Sequence, residues 1–546
     1  MEKTRKIMFV AMLSMLVLAV YGCAATDTIP PVITLLGEAE VTIGAGTAYV
    51  DAGATAWDNY DGNITADIVV TNHVNTAVVG IYHVIFNVTD THGNKAVKVV
   101  RVVHVVDTTP PVITLLGEPE ITIEVGAVYV DAGATAWDNL DGDITADIVA
   151  TNPVNTAVVG TYIVRYNVVD ANGNYAVEVA RTVRVARIIQ EAIDAANDGA
   201  EIIIPEGVYP ENINFGGKNI VLRSTDPTNP DVVANTIIDG TNSGPVVTFS
   251  GTETSDCVLS GFTIRNGKAE IGGGIIGNYA EATIENNVIT SNSADYSGGG
   301  LGYCIGTIRN NTVNNNSSQL YGGGFYYCDG TIENNIITSN SADAYGGGLG
   351  YCYGTIQNNI ITSNSAGGGG GLVLCNGTIQ NNIISKNHGG SAGGLGDCYG
   401  TIQNNIITEN SSIYGAGLFR CGWEDGGIWN NTIVNNSATR EGGGLYLCGN
   451  IENNIVWSNS APNGAQLNDS CSMPTYCCIQ DWTGGGEGNI SSDPNFGDPA
   501  NGDFHLKPDS ACIDAGCPID GVTEDFEGDS RPFGSGFDIG ADESTY

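Results

Sequence analysis

Basic side chains are scarce in this chain, with 20 Lys and Arg against 60 Asp and Glu and a formal charge of −40. A surface of that sign repels nucleic acid and anionic lipid, which sets nucleic acid aside as a partner and favours cations and neutral molecules. Zinc-type pairs are missing as well. No C-x-x-C stands near a partner His or Cys, so the 14 cysteines do not read as a metal site. Past Val20 no run is long and apolar enough to span a membrane. Helix-period stripes are rare, and the leucine comb of leucine-rich arrays is absent. Glycine is the opposite case: its 75 residues are about twice the usual share, and without a Gly-X-Y period they mark turns rather than collagen.

The first residues carry an address. Lys3, Arg5 and Lys6 precede an apolar run from Ile7 to Val20, the layout of an export signal. The stretch Leu18-Ala19-Val20-Tyr21-Gly22-Cys23 resembles a bacterial lipobox, with less usual residues at Val20 and Tyr21. The resemblance implies a signal peptide at 1–22 and lipidation of Cys23, which would be the only attachment to a membrane. Ordinary signal cleavage nearby is the alternative. A linker at 23–26 follows.

DTIPPVITLLGEAEVTIG begins at Asp27, and DTTPPVITLLGEPEITIE begins at Asp107, 80 residues later. The chain is therefore a tandem duplication over 27–106 and 107–187. Each copy sets short Val, Ile, Thr and Tyr runs between Gly, Asp and Asn turns, the pattern of an all-β sandwich of immunoglobulin size. Both end in a hairpin signal in which Gly93 or Gly173 supplies a tight turn. The copies resemble the Ig-like domains of bacterial extracellular proteins that open on TPPVITLLG and carry DNYDGNIT or DNLDGDIT. That resemblance implies spacers or adhesion-associated units, and the Pro-Pro junctions fit stiff connections. Calcium is the one cofactor considered. Asp58 and Asp61, with Asp138, Asp141 and Asp143 in the second copy, offer the oxygen ligands it prefers, against the plainer reading of Asp-rich turns capped by their own backbone.

From residue 188 the pattern changes. Ile188, Ile189, Ala192, Ile193 and Ala196 share a helical face that Gly199 ends. The segment IIQEAIDAANDGAEIIIPEGVYPENI resembles the N-terminal cap of right-handed parallel β-helices of the pectate-lyase-like superfamily. Cysteines then fall at 304, 328, 352, 375, 398, 421, 448 and 471, at spacings of 24, 24, 23, 23, 23, 27 and 23, a solenoid period. An Asn pair keeps the same register from Asn286/Asn287 to Asn453/Asn454. Each line reads as a Gly-rich turn, a short strand, a kink at Gly, a strand with alternating Ile, and a polar turn. Stacking accounts for the choices: one Asn of each pair inside the bend in an amide ladder, Ile as apolar columns, Cys as a buried column of small soft hydrophobes. Free thiols are the main reading of that column, with inter-coil disulfides second. Cys471, Cys477, Cys478, Cys512 and Cys517 are better disulfide candidates. The GGGL and I-x-x-N lines also resemble repeats of bacterial surface β-helices. The tail, 481–546, resembles the C-terminal region of exported β-helix proteins and reads as a cap on the last coil. Calcium and turn-capping both remain open for its Asp525, Glu527, Asp529, Asp538 and Asp542.

The superfamily includes polysaccharide lyases and glycoside hydrolases, so activity has to be asked of residues rather than fold. Between Cys257 and Gln480 there are six basic side chains, Arg265, Lys268, Arg309, Lys386, Arg420 and Arg440, too few to grip a polyanion. His388 is the only histidine of the coils, and no Asp-Asp pair occurs there. Glu424 and Asp425, in the 27-residue coil with Trp423 and Trp429, are the best catalytic candidates, and the sequence leans against an enzyme. A binding face has more support. With Cys inward, Tyr303, Tyr327 and Tyr351 form an exposed column about 4.8 Å apart, with Tyr353 and Tyr399 nearby. Such a column can stack on sugar faces, although tyrosine also simply favours strands. The slot holding Glu285, Arg309, Glu333, Gln357, Gln380, Gln403, Trp429 and Glu452 reads as a solvated face.

The sequence thus describes an all-β, exported, lipid-anchored or secreted surface protein: two Ig-like sandwiches, then a right-handed parallel β-helix at 188–480 with a helical N-cap and a C-terminal cap region. Its expected role is adhesion or binding of an extracellular or cell-surface polysaccharide. The alternative is a polysaccharide lyase or glycoside hydrolase.

Overall fold

The computed structural model describes residues 26–423 and 426–545, and nearly all of its elements are strands. Cys23, Glu424 and Asp425 lie outside the described residues. In the first module the strands are β1 (Val32–Leu35), β2 (Glu40–Gly44), β3 (Ala54–Asp58), β4 (Gly62–Asn63), β5 (Val69–Asn72), β6 (Gly80–Asn87) and β7 (Val99–Val106). They form a three-stranded sheet, β1-β3-β4, and a four-stranded one, β2-β7-β6-β5, in which only β2 and β7 run parallel. Alternation does the sorting: Ala54, Ala56 and Asp58 point in from β3 while Thr55 and Trp57 point out. Ile33, Ala56, Val84, Phe86 and Val103 fill the space between the sheets. The second copy repeats this with β8 (Val112–Leu115), β9 (Glu120–Glu124), β10 (Ala134–Asp138), β11 (Gly142–Asp143), β12 (Val149–Thr151), β13 (Gly160–Asn167) and β14 (Val179–Ala186).

Each sandwich also buries an arginine that the sequence did not single out. Arg101 is 1% exposed, ion-paired to Asp51, with Nε donating to the Glu38 carbonyl at 2.8 Å. Arg181 repeats it on Asp131 at 2.7 Å and the Glu118 carbonyl at 2.9 Å. Burial works against ionisation of Asp131, but hydrogen bonds from Tyr129, Tyr166, the Gly133 amide and Arg181 outweigh it and hold the carboxyl at about 2.

After the helix α1 (Ile188–Ala195), a right-handed parallel β-helix of about 12 turns begins. Its strands stack in parallel sheets of 11, 12, 10 and 8 members. A typical coil has four strands, Leu349–Gly350, Thr355–Gln357, Ile360–Thr362 and Ser365–Ala366. Two of these are two residues long, too short for a periodic pattern, and so the sequence shows only the other pair. Ile284, Ile308, Ile332 and Ile356 lie in register and are fully buried, one of several apolar columns inside. Glycine is required where coils touch: a Cβ on Gly354 would sit 2.0 Å from the Gly330 carbonyl oxygen.

The Asn pairs divide their work. The first member, such as Asn358 with φ +56°, turns the backbone, and the second, Asn359, is buried. Asn359 Oδ1 accepts from the Asn335 amide at 2.9 Å and from Asn335 Nδ2 at 3.0 Å, while its own Nδ2 donates to the Ile332 carbonyl at 2.8 Å. A second ladder, through Asn292, Asn316, Asn340, Asn364, Asn387 and onward, does the same. The repeated Ser-Asn-Ser was its unused signal. The ladders end on other groups: Asn454 donates its amide to Cys477 Sγ at 3.3 Å, and Asn459 Nδ2 donates to Gln466 at 2.9 Å.

The column from Cys304 to Cys448 is buried, and all the described cysteines are free thiols. The tail candidates are therefore corrected. Cys478 donates to the Ser492 carbonyl at 3.1 Å, Cys517 to Glu452 at 3.0 Å, and Cys471 extends the column by accepting from the Cys448 amide at 3.4 Å. The tail is also more than an end cap. It lies along the flank of the last coils, where Asn404 Nδ2 donates to the Glu524 carbonyl at 2.8 Å and Asn453 Nδ2 to the Cys517 carbonyl at 2.7 Å. Its acids divide: Asp525 Oδ1 caps a turn by accepting from the Glu527 and Asp529 amides at 2.8 Å, while Asp538 accepts from the distant Asp514 amide at 2.7 Å and Asp542, which accepts from the Leu506 amide at 2.8 Å, groups with His505 and Glu527. No helix among the described residues is long and apolar enough to cross a membrane.

Candidate functional site

One face of the β-helix concentrates aromatic rings. Tyr303, within a strand of the 10-membered sheet, and Tyr327 and Tyr351, which follow theirs, each precede the inward Cys, with φ of +56°, +51° and +58°. A left-handed φ costs a non-glycine residue about 1–2 kcal/mol, and here it accompanies rings that pack on one another. The exposed column expected from alternation is corrected accordingly: all three are half-buried against one another. Tyr303 and Tyr327 centroids lie 5.7 Å apart, and Tyr327 and Tyr351 stack 5.4 Å apart with nearly parallel rings. Tyr326, in register with Gly302 and Gly350, is buried and packs edge-on against Tyr303, Tyr327 and Tyr351 at 5.6, 5.0 and 6.0 Å.

Tyr353 is different. It is 39% exposed, edge-on to Tyr327 at 5.6 Å, and stands at the rim of a groove of about 610 Å³. Repetition builds the groove. Asp329, Tyr353, Asn376 and Tyr399 occupy one position of successive coils, above columns of Gly and Thr. The Tyr353 amide donates to Asp329 Oδ1 at 2.9 Å, and the Tyr399 amide donates to Asn376 Oδ1 at 2.9 Å, so each polar residue fixes the tyrosine of the next coil. Burial pushes up the Asp329 carboxyl and the Tyr353 and Tyr399 phenols, so these two tyrosines stay neutral hydroxyl donors at ordinary pH. Flat rings beside hydroxyls and amides suit a neutral, polyhydroxylated ligand.

The catalytic candidates Glu424 and Asp425 lie outside the described residues. Trp423, beside them in sequence, donates Nε1 to the Leu447 carbonyl at 2.6 Å, and His388 is an exposed strand residue 2.9 Å from Ser411. The polar slot is a hydrogen-bonded ladder, in which Arg309 pairs with Glu285 at 2.7 Å, Gln357 donates to Glu333 at 2.9 Å and Gln380 to Gln357 at 2.9 Å.

In the sandwiches the acids regroup. Asp58 and Asp138 cap turns, their Oδ1 accepting from the amides of Tyr60 and Asp61 at 2.8 and 2.9 Å and of Leu140 and Asp141 at 2.7 and 2.9 Å. Asp143 caps Thr145 at 3.0 Å, and Asp141 takes the Ala171 amide at 2.8 Å. Asp61 holds Thr91 and lies within 4.8 Å of Asp90 and His92. Yet Asp58 also meets Asp27 and Asp90, and Asp138 meets Asp107 and Asp170, in three-carboxylate groups formed by residues far apart in the chain.

Residues 33–105 and 113–185 each match the family described as bacterial surface protein, Ig-like domain. The match agrees with an exported or surface setting for the chain. Among curated proteins, the pesticidal crystal protein Cry22Aa of Bacillus thuringiensis is 35% identical over 161 residues, 27% of this chain and 20% of that protein. An uncharacterized 81.3 kDa protein of Acholeplasma phage L2 is 28% identical over 200 residues, 34% of this chain and 25% of that one. The chain thus spans only a fifth to a quarter of these relatives' lengths. Two solved structures are also similar. A lipoprotein from Bacteroides thetaiotaomicron is 14% identical, covering 28% of this chain and 98% of its own at a TM-score of 0.14. A family 28 exopolygalacturonase from Yersinia enterocolitica is 11% identical, covering 61% and 83% at a TM-score of 0.18. At those scores neither likeness decides the chemistry of this chain.

Proposed function

We propose that this is a bacterial surface protein, anchored through a lipid on Cys23, whose Ig-like domains carry a β-helix that binds a neutral cell-surface or extracellular polysaccharide. The observation that carries the reading is the groove in which Tyr353 and Tyr399 alternate with Asp329 and Asn376 beside the stacked tyrosines. Successive sugars of a linear glycan meet a repeat of ring and hydrogen-bonding group, and the charge of −40 disfavours an anionic chain. Because Tyr327 and Tyr351 support their neighbours, the informative change is Tyr353→Ala with Tyr399→Ala. On a polysaccharide panel the double variant should lose retention that the wild type shows, with an unchanged circular dichroism spectrum. Equal retention by both proteins sinks the reading. Release of new reducing ends or unsaturated products by the wild type replaces binding with hydrolysis or lyase action.

A further inference from the structure

The Ig-like domains contain a second place where chemistry is unfinished. In the first domain Asp27, Asp58 and Asp90 each bring a carboxylate oxygen to within 4.8 Å of the others, and in the second Asp107, Asp138 and Asp170 do the same. The two sets are offset by the 80-residue repeat, so the arrangement is a property of the domain and not of one loop. Five of the six residues are buried, Asp58 and Asp138 to 1% exposure. Most oxygens are satisfied. Asp90 Oδ1 accepts from the His92 and Asn94 amides at 2.9 and 2.8 Å and Oδ2 from Asn94 Nδ2 at 2.7 Å; Asp170 repeats this on Asn172 and Asn174. Asp27 and Asp107 take the amides of Ile29 and Thr109 on Oδ1 at 3.1 and 3.0 Å. The Oδ2 atoms of Asp58 and Asp138 are buried without any hydrogen-bond partner, as is Oδ2 of Asp27.

A buried carboxylate oxygen without a donor, beside two further carboxylates, needs either a proton or a cation. A proton serves one pair of oxygens, whereas a cation serves all three carboxylates at once, and the same three-oxygen group recurs in both domains. We propose that each Ig-like domain binds one calcium ion, through Asp27, Asp58 and Asp90 in the first and Asp107, Asp138 and Asp170 in the second. The donors common to both sets are carboxylate oxygens, which suit a hard cation, and calcium tolerates irregular oxygen cages where magnesium demands an octahedron and keeps its waters. His92 near the first set is replaced by Asn172 in the second, so imidazole is no part of the shared site. Asp27 and Asp107 open the D-T-x-P-P junctions. The ion would therefore clip each junction to the β3–β4 or β10–β11 turn and to the following hairpin turn, stiffening the stalk only where calcium is present.

The test is calcium uptake by the full protein at millimolar calcium, the range of extracellular modules, measured by titration calorimetry. Asp58→Asn and Asp138→Asn keep the Oδ1 acceptor that caps the turn, so folding is preserved and circular dichroism without calcium should be unchanged. Wild type should bind two more calcium ions per chain than the Asp58→Asn/Asp138→Asn double variant, with each single variant one short. Calcium should also slow proteolysis at the junctions in wild type alone. Asp143→Asn, outside both sets, should behave as wild type. No uptake by the wild type, or equal uptake by wild type and double variant, overturns the proposal.

Discussion

The sandwiches and the solenoid bury polar groups in opposite ways. Each Ig-like domain relies on one guanidinium, Arg101 or Arg181, tied to one carboxylate and to the carbonyls of its own loops. The solenoid spreads the same task over two asparagine ladders in which every amide is replaceable by the pattern but not by its neighbours. Concentrated polar burial makes a domain cooperative and vulnerable at one residue. Distributed burial makes stability a sum of coil-to-coil interfaces, as expected of a repeat protein.

Four changes sharpen that contrast, from the largest effect down. Arg181→Ala removes the buried partner of the half-buried Asp131 and should cost the second domain about 3–5 kcal/mol, read by denaturant unfolding. A loss below about 1 kcal/mol would show the pair to be exchangeable. Asn359→Ala in mid-ladder should cost about 1–3 kcal/mol for each partner left unsatisfied. Hydrogen exchange should show the lost protection confined to the coils on either side, and loss spread evenly over the solenoid would contradict the additive picture. Acid separates the regions again. Asp131, held at about 2, contributes fully above its unfolded value of about 3.9 and loses that contribution as pH falls through its folded value, about 2–3 kcal/mol in all. Asp131→Asn should flatten that acid limb in a pH series of melting temperatures. The smallest effect belongs to the solenoid's tail, where hydrogen bonds to Asp503 and Glu527 raise His505 to about 9. Its contribution is complete below about pH 6.5 and fades as pH rises through the folded value. Being exposed, His505→Gln should lower the melting temperature only slightly in mild acid and not at all above pH 10.

What the sequence showed follows from what repeats. The Cys column, the Asn pairs and the 80-residue duplication are written once per structural unit, so spacing alone exposes them. Asn287, Asn311 and Asn335 could be read as ladder partners because a coil returns to the same place every 23 or 24 residues. The tyrosine face was half legible. Tyr327 and Tyr351 stack as spacing requires, but strand alternation cannot reveal that their φ is positive, that the rings are half-buried on one another, or that Tyr353 lines the groove. Glu424 and Asp425 stand out only as adjacent acids in the 27-residue coil with Trp423 and Trp429, a weak signal beside the repeats.

The sequence by itself determined the architecture, because periodicity is a one-dimensional property that a stacked coil converts directly into neighbours. Only the tertiary structure decided which charges meet. Asp27, Asp58 and Asp90 are brought together by a sandwich that juxtaposes a linker, a strand-end turn and a hairpin, and Arg101 reaches Asp51 across 50 residues. Such contacts leave no period in the chain, since they arise from folding distant segments onto one another.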